Sequence, residues 1–219
     1  MTAEQIIDSN LFPLKPSDTV AFARETLILM QISALPVVEN DMVIGFIESA
    51  SLINPSTKKN IKAFIKDESN WLLNEKQHHY EAIRLFAQDH APCLAVTSED
   101  THYRGIISKQ MLLKFLNQSY TMLAEGSIIE IEMVARNYSL SELNSILESE
   151  NSKILGLTIY SIPKSSRILI SIKTNSIFTD RIVLSLKRFG YDVTNTFFNT
   201  HDIFDSESRY ESFIKYLEI

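Results

Sequence analysis

Apolar residues recur at three- and four-residue spacings through Val20, Ala23, Leu27 and Met30, the period of one helix face. Pro16-Ser17-Asp18-Thr19 supplies the turn and cap in front of it. Leu35-Pro36-Val37-Val38 then reads as a short buried strand, Asn40-Asp41 as a hairpin turn and Val43-Ile44-Gly45-Phe46-Ile47 as the returning strand. A short helix from Ser49 to Ile53 follows. Beyond a polar linker, Pro55-Ser56-Thr57-Lys58-Lys59, the same order returns. Trp71-Leu72-Leu73 predicts a strand, Ala82, Ile83 and Phe86 a helix stripe, and Ala91 to Val96 a further strand. Ser98 to His102 is a hairpin, Tyr103-Arg104-Gly105-Ile106-Ile107 its second arm and Ser108 to Leu123 a closing helix. Equivalent positions lie 59 residues apart at Ala23/Ala82 and Leu27/Phe86, 56 at Pro36/Pro92 and 60 at Gly45/Gly105, so the first half is an internal repeat.

After Gly126 the period changes. Ile128, Ile129, Ile131, Met133 and Val134 predict a strand, and Ser139 or Ser141 caps a helix carrying Leu140, Leu143, Ile146 and Leu147 on one side. Ile154 to Ile162 and Arg167 to Ile172 form a hairpin about the polar turn Pro163-Lys164-Ser165-Ser166. Phe178, Ile182, Leu186 and Phe189 mark one helix face, Gly190 ends that helix, and Tyr191 to Phe198 is the last strand. This βαββαβ order is the ferredoxin-like arrangement. The acidic final segment, His201 to Ile219, places Tyr210, Phe213, Ile214 and Leu217 on one helical stripe, suited to docking on the body or to a dimer contact.

The tandem units Leu35-Pro36-Val37-Val38 with Gly45-Phe46-Ile47, and Ala91-Pro92-Cys93-Leu94 with Gly105-Ile106-Ile107, resemble the paired cystathionine-β-synthase (CBS) domain, or Bateman module, over residues 1–122. The βαββαβ half is similar to the ACT domain, a small amino-acid-sensing module, and the whole layout resembles the accessory proteins of the acetoin-utilisation protein B type. The implied fold class is α+β: a tandem CBS-domain pair followed by a ferredoxin-like, ACT-like domain. Its parts are CBS repeat 1 at 1–57, CBS repeat 2 at 58–123, the ACT-like domain at 127–199 and the C-terminal acidic helix at 200–219.

Charge removes one class of partner. The net charge of −6 divides equally, with 11 Lys/Arg against 14 Asp/Glu in residues 1–122 and 10 against 13 beyond, and no basic block stands out. Nucleic-acid binders need concentrated cationic surface, so nucleic acid is not an expected partner. The single cysteine, Cys93, forms no internal disulfide, and Met1 to Asn10 lacks the basic and long apolar parts of a signal peptide. A cytoplasmic protein without a membrane segment is expected.

In nucleotide-binding CBS modules the second hairpin arm continues as Gly, two apolar residues, Ser/Thr, two residues, Asp. The resemblance thus implies a hydroxyl on a phosphate and a carboxylate on the ribose. In the first copy Glu48 holds the hydroxyl position and Ser51 the aspartate position, and a carboxylate facing a phosphate repels it. In the second copy Ser108 is retained and Met111 replaces the aspartate; Ser108 is equally an ordinary helix cap. Pro36, Ala91 and Pro92, at the starts of the repeated strands, complete the candidate ligand-binding set in the CBS pair. In the ACT-like half the loop Ala135-Arg136-Asn137-Tyr138-Ser139 lacks the usual Asp and Gly, leaving Arg136 as the candidate carboxylate grip or a solvated charge.

No catalytic constellation emerges. His78 and His79 are helix neighbours about 100° apart and poorly placed to share a metal, His90 and His102 have no ligand partners at metal spacing, and Cys93 sits in an apolar strand. Glycines spaced at least 21 residues apart exclude P-loop, GxSxG and GxGxxG motifs. Two functions follow from the resemblance. One is a non-enzymatic regulatory homodimer, joined through its CBS pair, that senses an adenosine nucleotide (AMP, ADP or ATP), S-adenosylmethionine or another small metabolite and relays it to a protein partner by dimer rearrangement. The other is a ligand-free dimeric scaffold with degenerate CBS pockets.

Overall fold

The computed structural model describes residues 1–54 and 56–198. Their contacts divide the chain into two units, Met1–Gln118 and the part from Ser119 onward.

In the first unit, Thr19 accepts a hydrogen bond from Phe22 N and caps α1 (Val20–Leu29), which buries Val20, Ala23 and Leu27. Strands β1 (Ala34–Glu39) and β2 (Met42–Glu48) form the predicted hairpin. Asn40 and Asp41 turn it with φ of 51° and 62°, the left-handed pair that matches strand twist. The segment after β2, Ser49–Leu52, is a single 3-10 turn. The second repeat has β3 (Leu72–Asn74), α2 (His79–Gln88), β4 (Cys93–Thr97), β5 (Tyr103–Ser108) and α3 (Lys109–Asn117). Here β3 runs parallel to β4, and β4 pairs antiparallel with β5. The first repeat keeps only a trace of β3: Leu14 bridges Val37 in parallel, donating to Pro36 O at 2.9 Å and accepting from Val38 N at 2.8 Å.

The repeats exchange their lead-in segments. The 3-10 turn Ala3–Ile6 lies beside the second repeat, with Ala3 N bonded to Gln77 O at 2.8 Å; the turn Ile61–Phe64 lies beside the first, with Ile61 N bonded to Asp18 O at 2.9 Å. Each lead-in then runs against the other repeat's second hairpin strand. Asp8 N meets Ile106 O at 2.7 Å, and Lys66 and Phe46 exchange two backbone bonds of 2.9 Å. The two hairpin glycines are required at these crossings: a Cβ on Gly45 would strike Ile65 and the Lys66 carbonyl, and one on Gly105 would strike Ile7. A shared core from both repeats includes Leu35, Phe46, Leu94 and Ile106.

The second unit opens with α4 (Tyr120–Leu123). Strands β6 (Ile128–Val134), β7 (Ile154–Ser161), β8 (Arg167–Thr174) and β9 (Asp192–Phe197) form one sheet in the order β7-β8-β6-β9, every pair antiparallel. Helices α5 (Leu140–Ser149) and α6 (Asp180–Arg188) bury Leu143, Ile146, Leu147, Ile182 and Leu186 against Ile129, Ile131, Ile170 and Ile172. That order and connectivity is ferredoxin-like. Ser139, rather than Ser141, caps α5, accepting from Glu142 N at 3.3 Å.

Several expectations from periodicity are corrected. The closing helix expected from Ser108 to Leu123 is broken: Gln118 ends α3 and Ser119, with ψ of 143°, caps α4. Polar Asn117, Gln118 and Ser119 offer side-chain bonding that competes with helix continuation. In α2 the buried positions are Ala82, Leu85 and Phe86, while Ile83 is exposed. Leu140, Phe178 and Phe189 also face solvent: Leu140 is the first residue of α5, and the two phenylalanines lie outside α6. The predicted acidic helix at 200–219 lies outside the described residues.

Candidate functional site

The swapped lead-ins determine what meets the two hydroxyl positions. In the second repeat, Ser108 accepts from Met111 N at 3.1 Å, capping α3, and donates its own proton to the Asp8 carboxylate at 2.8 Å. In the first, Glu48 is ion-paired to Lys66 at 2.6 Å, which raises the Lys66 pKa. Asp8 and Lys66 are equivalent residues of the two lead-ins. Each repeat therefore carries one carboxylate at this point, Glu48 on the hairpin itself and Asp8 from across the pair.

A cleft of about 290 Å³ opens beside Asp8 and Ser108. Leu11, Met30, Ile32 and Pro92 form its apolar walls, and Gln31, Ser33, Lys109 and Gln110 complete its polar lining. The Lys109 ammonium lies 5.7 Å from the Phe86 ring centroid, drawn there by the ring's negative face. Asp8 is the lining carboxylate. The cleft can therefore bind a flat apolar group between its walls while a cation or hydroxyls meet Asp8.

The sequence-derived candidates separate on this geometry. Ser108 and Pro92 line the cleft; Met111 contributes its backbone N–H to Ser108 rather than a lining side chain. Ala91 and Pro36 are buried, and the Pro36 carbonyl is used by Leu14. Ser51 turns back to donate to Glu48 O at 2.7 Å. Asp8 was missed by motif reading because it comes from far outside the repeated motif. Its sequence signal was slight: an acid in the lead-in to the first repeated helix pattern.

In the second unit a cleft of about 360 Å³ lies where β6 leads into α5, lined by Asn137, Glu142, Arg167, Tyr191 and Asp192 among others. Arg136 is exposed on the 3-10 turn Ala135–Asn137 and does not line it. The arginine present is Arg167, bonded to Glu132 at 2.6 Å and to Asp192 at 3.2 Å. Its charge is already met by two carboxylates, so this cleft does not offer the arginine grip expected of Arg136. Burial, followed by a hydrogen bond with Glu142, pushes the Tyr191 phenol up to about 12.

Other chemistry is sparse. His78 accepts from Tyr80 N at the start of α2, and its ring centroid lies 4.0 Å from that of His79, whose Nδ1 is buried without a hydrogen-bond partner. Among the described residues no group of three His, Cys, Asp or Glu side chains is placed to hold a metal ion, and no helix is long and apolar enough to cross a membrane.

The CBS-domain family model matches residues 3–54. A CBS domain pair/ACT domain protein from Thermotoga maritima superposes with a TM-score of 0.50 at 16% identity, covering 55% of this chain and 99% of its own. A protein from Methanocaldococcus jannaschii superposes with a TM-score of 0.50 at 20% identity, covering 55% of this chain and 62% of its own. No curated protein gives a sequence match. A CBS-domain match thus falls at residues 3–54, the matched part of the chain has the fold of CBS-domain-pair structures, and the second unit is ferredoxin-like, an α+β combination.

Proposed function

We propose that the chain is a non-enzymatic, cytoplasmic regulatory module of the acetoin-utilisation protein B type, which senses a small metabolite in the cleft beside Ser108 and relays it through a homodimer to a protein partner. The observation that carries this reading is the Asp8–Ser108 contact at the mouth of a cleft with apolar walls. A carboxylate seated on the hydroxyl repels an incoming phosphate and favours a sulfonium, an ammonium or ribose hydroxyls. Among the adenosyl ligands, S-adenosylmethionine fits this charge better than AMP, ADP or ATP. Ligand can drive rearrangement only by binding one dimer arrangement more tightly than another. Ile28 and Leu29 on α1, 76% and 80% exposed, supply apolar surface for self-association.

The test is a thermal-shift series on the full chain with AMP, ADP, ATP and S-adenosylmethionine at millimolar concentration. S-adenosylmethionine raises the melting temperature most, because a ligand of the folded form stabilises it by mass action. A larger rise with AMP refutes the charge argument. A flat response to all four favours the ligand-free scaffold, a reading supported by Ser108 already having both a donor and an acceptor partner. Light scattering checks the dimer: a mass near one 25.0 kDa chain at micromolar concentration overturns it.

A further inference from the structure

In the second unit, β7 and β8 turn the cross-strand neighbours Gly156/Lys173 and Thr158/Ser171 to the face of the sheet opposite α5 and α6. Helix α4 crosses this face. Thr121 donates to Leu155 O at 2.8 Å, and a Cβ on Gly156 would run into the Thr121 side chain, so the helix packs down where glycine leaves room. A cleft of about 350 Å³ remains between helix and sheet. Met122, Ile128 and the Tyr160 ring give it apolar walls; Thr158, Ser171 and Lys173 give it hydrogen-bonding groups.

Among the described residues the charge lining this cleft is one-sided. Lys173 is half-buried and donates one hydrogen bond to Gly126 O at 3.2 Å, which leaves two N–H groups of the ammonium. Among the described residues that line it, none is a carboxylate. Glu130, the partner of Ser171 on β6, is bonded to Asn195 Nδ2 at 2.9 Å. A positive group beside two hydroxyls, flanked by the apolar groups of Met122, Ile128 and Tyr160, attracts an anion. One ammonium balances one negative charge, so a phosphate dianion would be left under-compensated. An α-amino acid would bring its own ammonium to a cleft whose described lining holds no acid to receive it.

We propose that this cleft binds a small organic monocarboxylate with a branched or aromatic apolar body, the carboxylate held by Lys173, Ser171 and Thr158 and the body lying against Met122, Ile128 and Tyr160.

The test is an NMR and calorimetric titration of the full chain with isovalerate and phenylacetate, with their uncharged amides, leucine and inorganic phosphate as comparators. The acids shift backbone signals of 156–160 and 171–173, and the amides, equal in shape, do not. Lys173→Met weakens the acids roughly 10- to 100-fold, the size of a lost charge-assisted contact. Thr158→Val weakens them less. No shift with either acid, equal binding of acids and amides, unchanged affinity in Lys173→Met, or tighter binding of phosphate or leucine each overturns the proposal. The acid–amide comparison decides on the unaltered protein, whatever the variants' stability.

Discussion

Asp8 stands to Ser108 as Lys66 stands to Glu48: each is the lead-in residue whose side chain reaches the end of the other repeat's second hairpin strand, at 2.8 Å and 2.6 Å. The symmetry of position is kept while the charge is inverted. A cation neutralises the carboxylate of the first repeat, and a carboxylate covers the hydroxyl of the second. The two halves of the pair are therefore not equivalent receptors, although their backbones repeat.

Asp8→Asn keeps a hydrogen-bond acceptor for Ser108 and removes the charge. AMP is expected to raise the melting temperature of the variant more than that of the unaltered chain, and S-adenosylmethionine less. An equal AMP response in both proteins would separate Asp8 from ligand choice.

Phe46 is 1% exposed and packs edge-on against Trp71, ring centroids 5.2 Å apart. Phe46→Ala is expected to cost the first unit about 3–5 kcal/mol, from lost transfer energy and the cavity left behind. Trp71 is the only tryptophan, so its fluorescence in a urea titration reports that unit alone. A loss under about 1 kcal/mol would mean that the site collapses around the smaller residue.

Cys93 is buried in β4, and burial pushes its thiol up to about 12. Its Sγ–H donates to Ala34 O of the first repeat at 3.3 Å. At neutral pH a thiol reagent such as dithionitrobenzoate is expected to leave the folded chain unmodified and to react fully in denaturant, because the thiolate is the nucleophile. Rapid modification without denaturant would show that β4 opens.

The His79 pKa is held below its ordinary 6.5, first by desolvation and then by the charge of neighbouring His78. The unfolded chain therefore takes up a proton near pH 6.5 that the folded chain refuses until lower pH. The contribution of His79 to stability is level above the unfolded pKa and falls as pH drops through it toward the folded value. Urea midpoints of the first unit should drop between about pH 7.5 and 5.5, and by less in His79→Phe, which keeps a ring beside Phe115. Identical pH dependence in both proteins would remove His79 as a contributor.

The hairpins were legible because their signals are local. Asn40-Asp41 states its own turn, and Gly45 and Gly105 mark the same strand position in both copies. Helix interiors were legible, as at Ala23, Leu27, Leu143 and Leu186, since a buried stripe must recur with the helical period. Helix ends were not. Phe178 and Phe189 continue the apolar spacing of α6 yet lie beyond Asp180–Arg188 and face solvent, because spacing alone does not say where the sheet stops covering a helix. The cleft was half-legible: Ser108 and Pro92 belong to the repeated motif, whereas Asp8, Leu11 and Met30 reach it from elements whose placement no motif records.

The sequence by itself determined the repeat, the βαββαβ order and the helix-capping role of Ser108, all properties of neighbours within a few residues or of a period along the chain. Tertiary structure alone decided that the lead-ins cross between the repeats, that Asp8 covers Ser108 and Lys66 pairs with Glu48, and that Arg167 is held by Glu132 and Asp192. Those pairings join residues separated by 18 to 100 positions. Those of the first unit exist because the lead-ins cross onto the opposite hairpins, and those of Arg167 because β8, β6 and β9 lie side by side in one sheet; no local propensity encodes which charge arrives there.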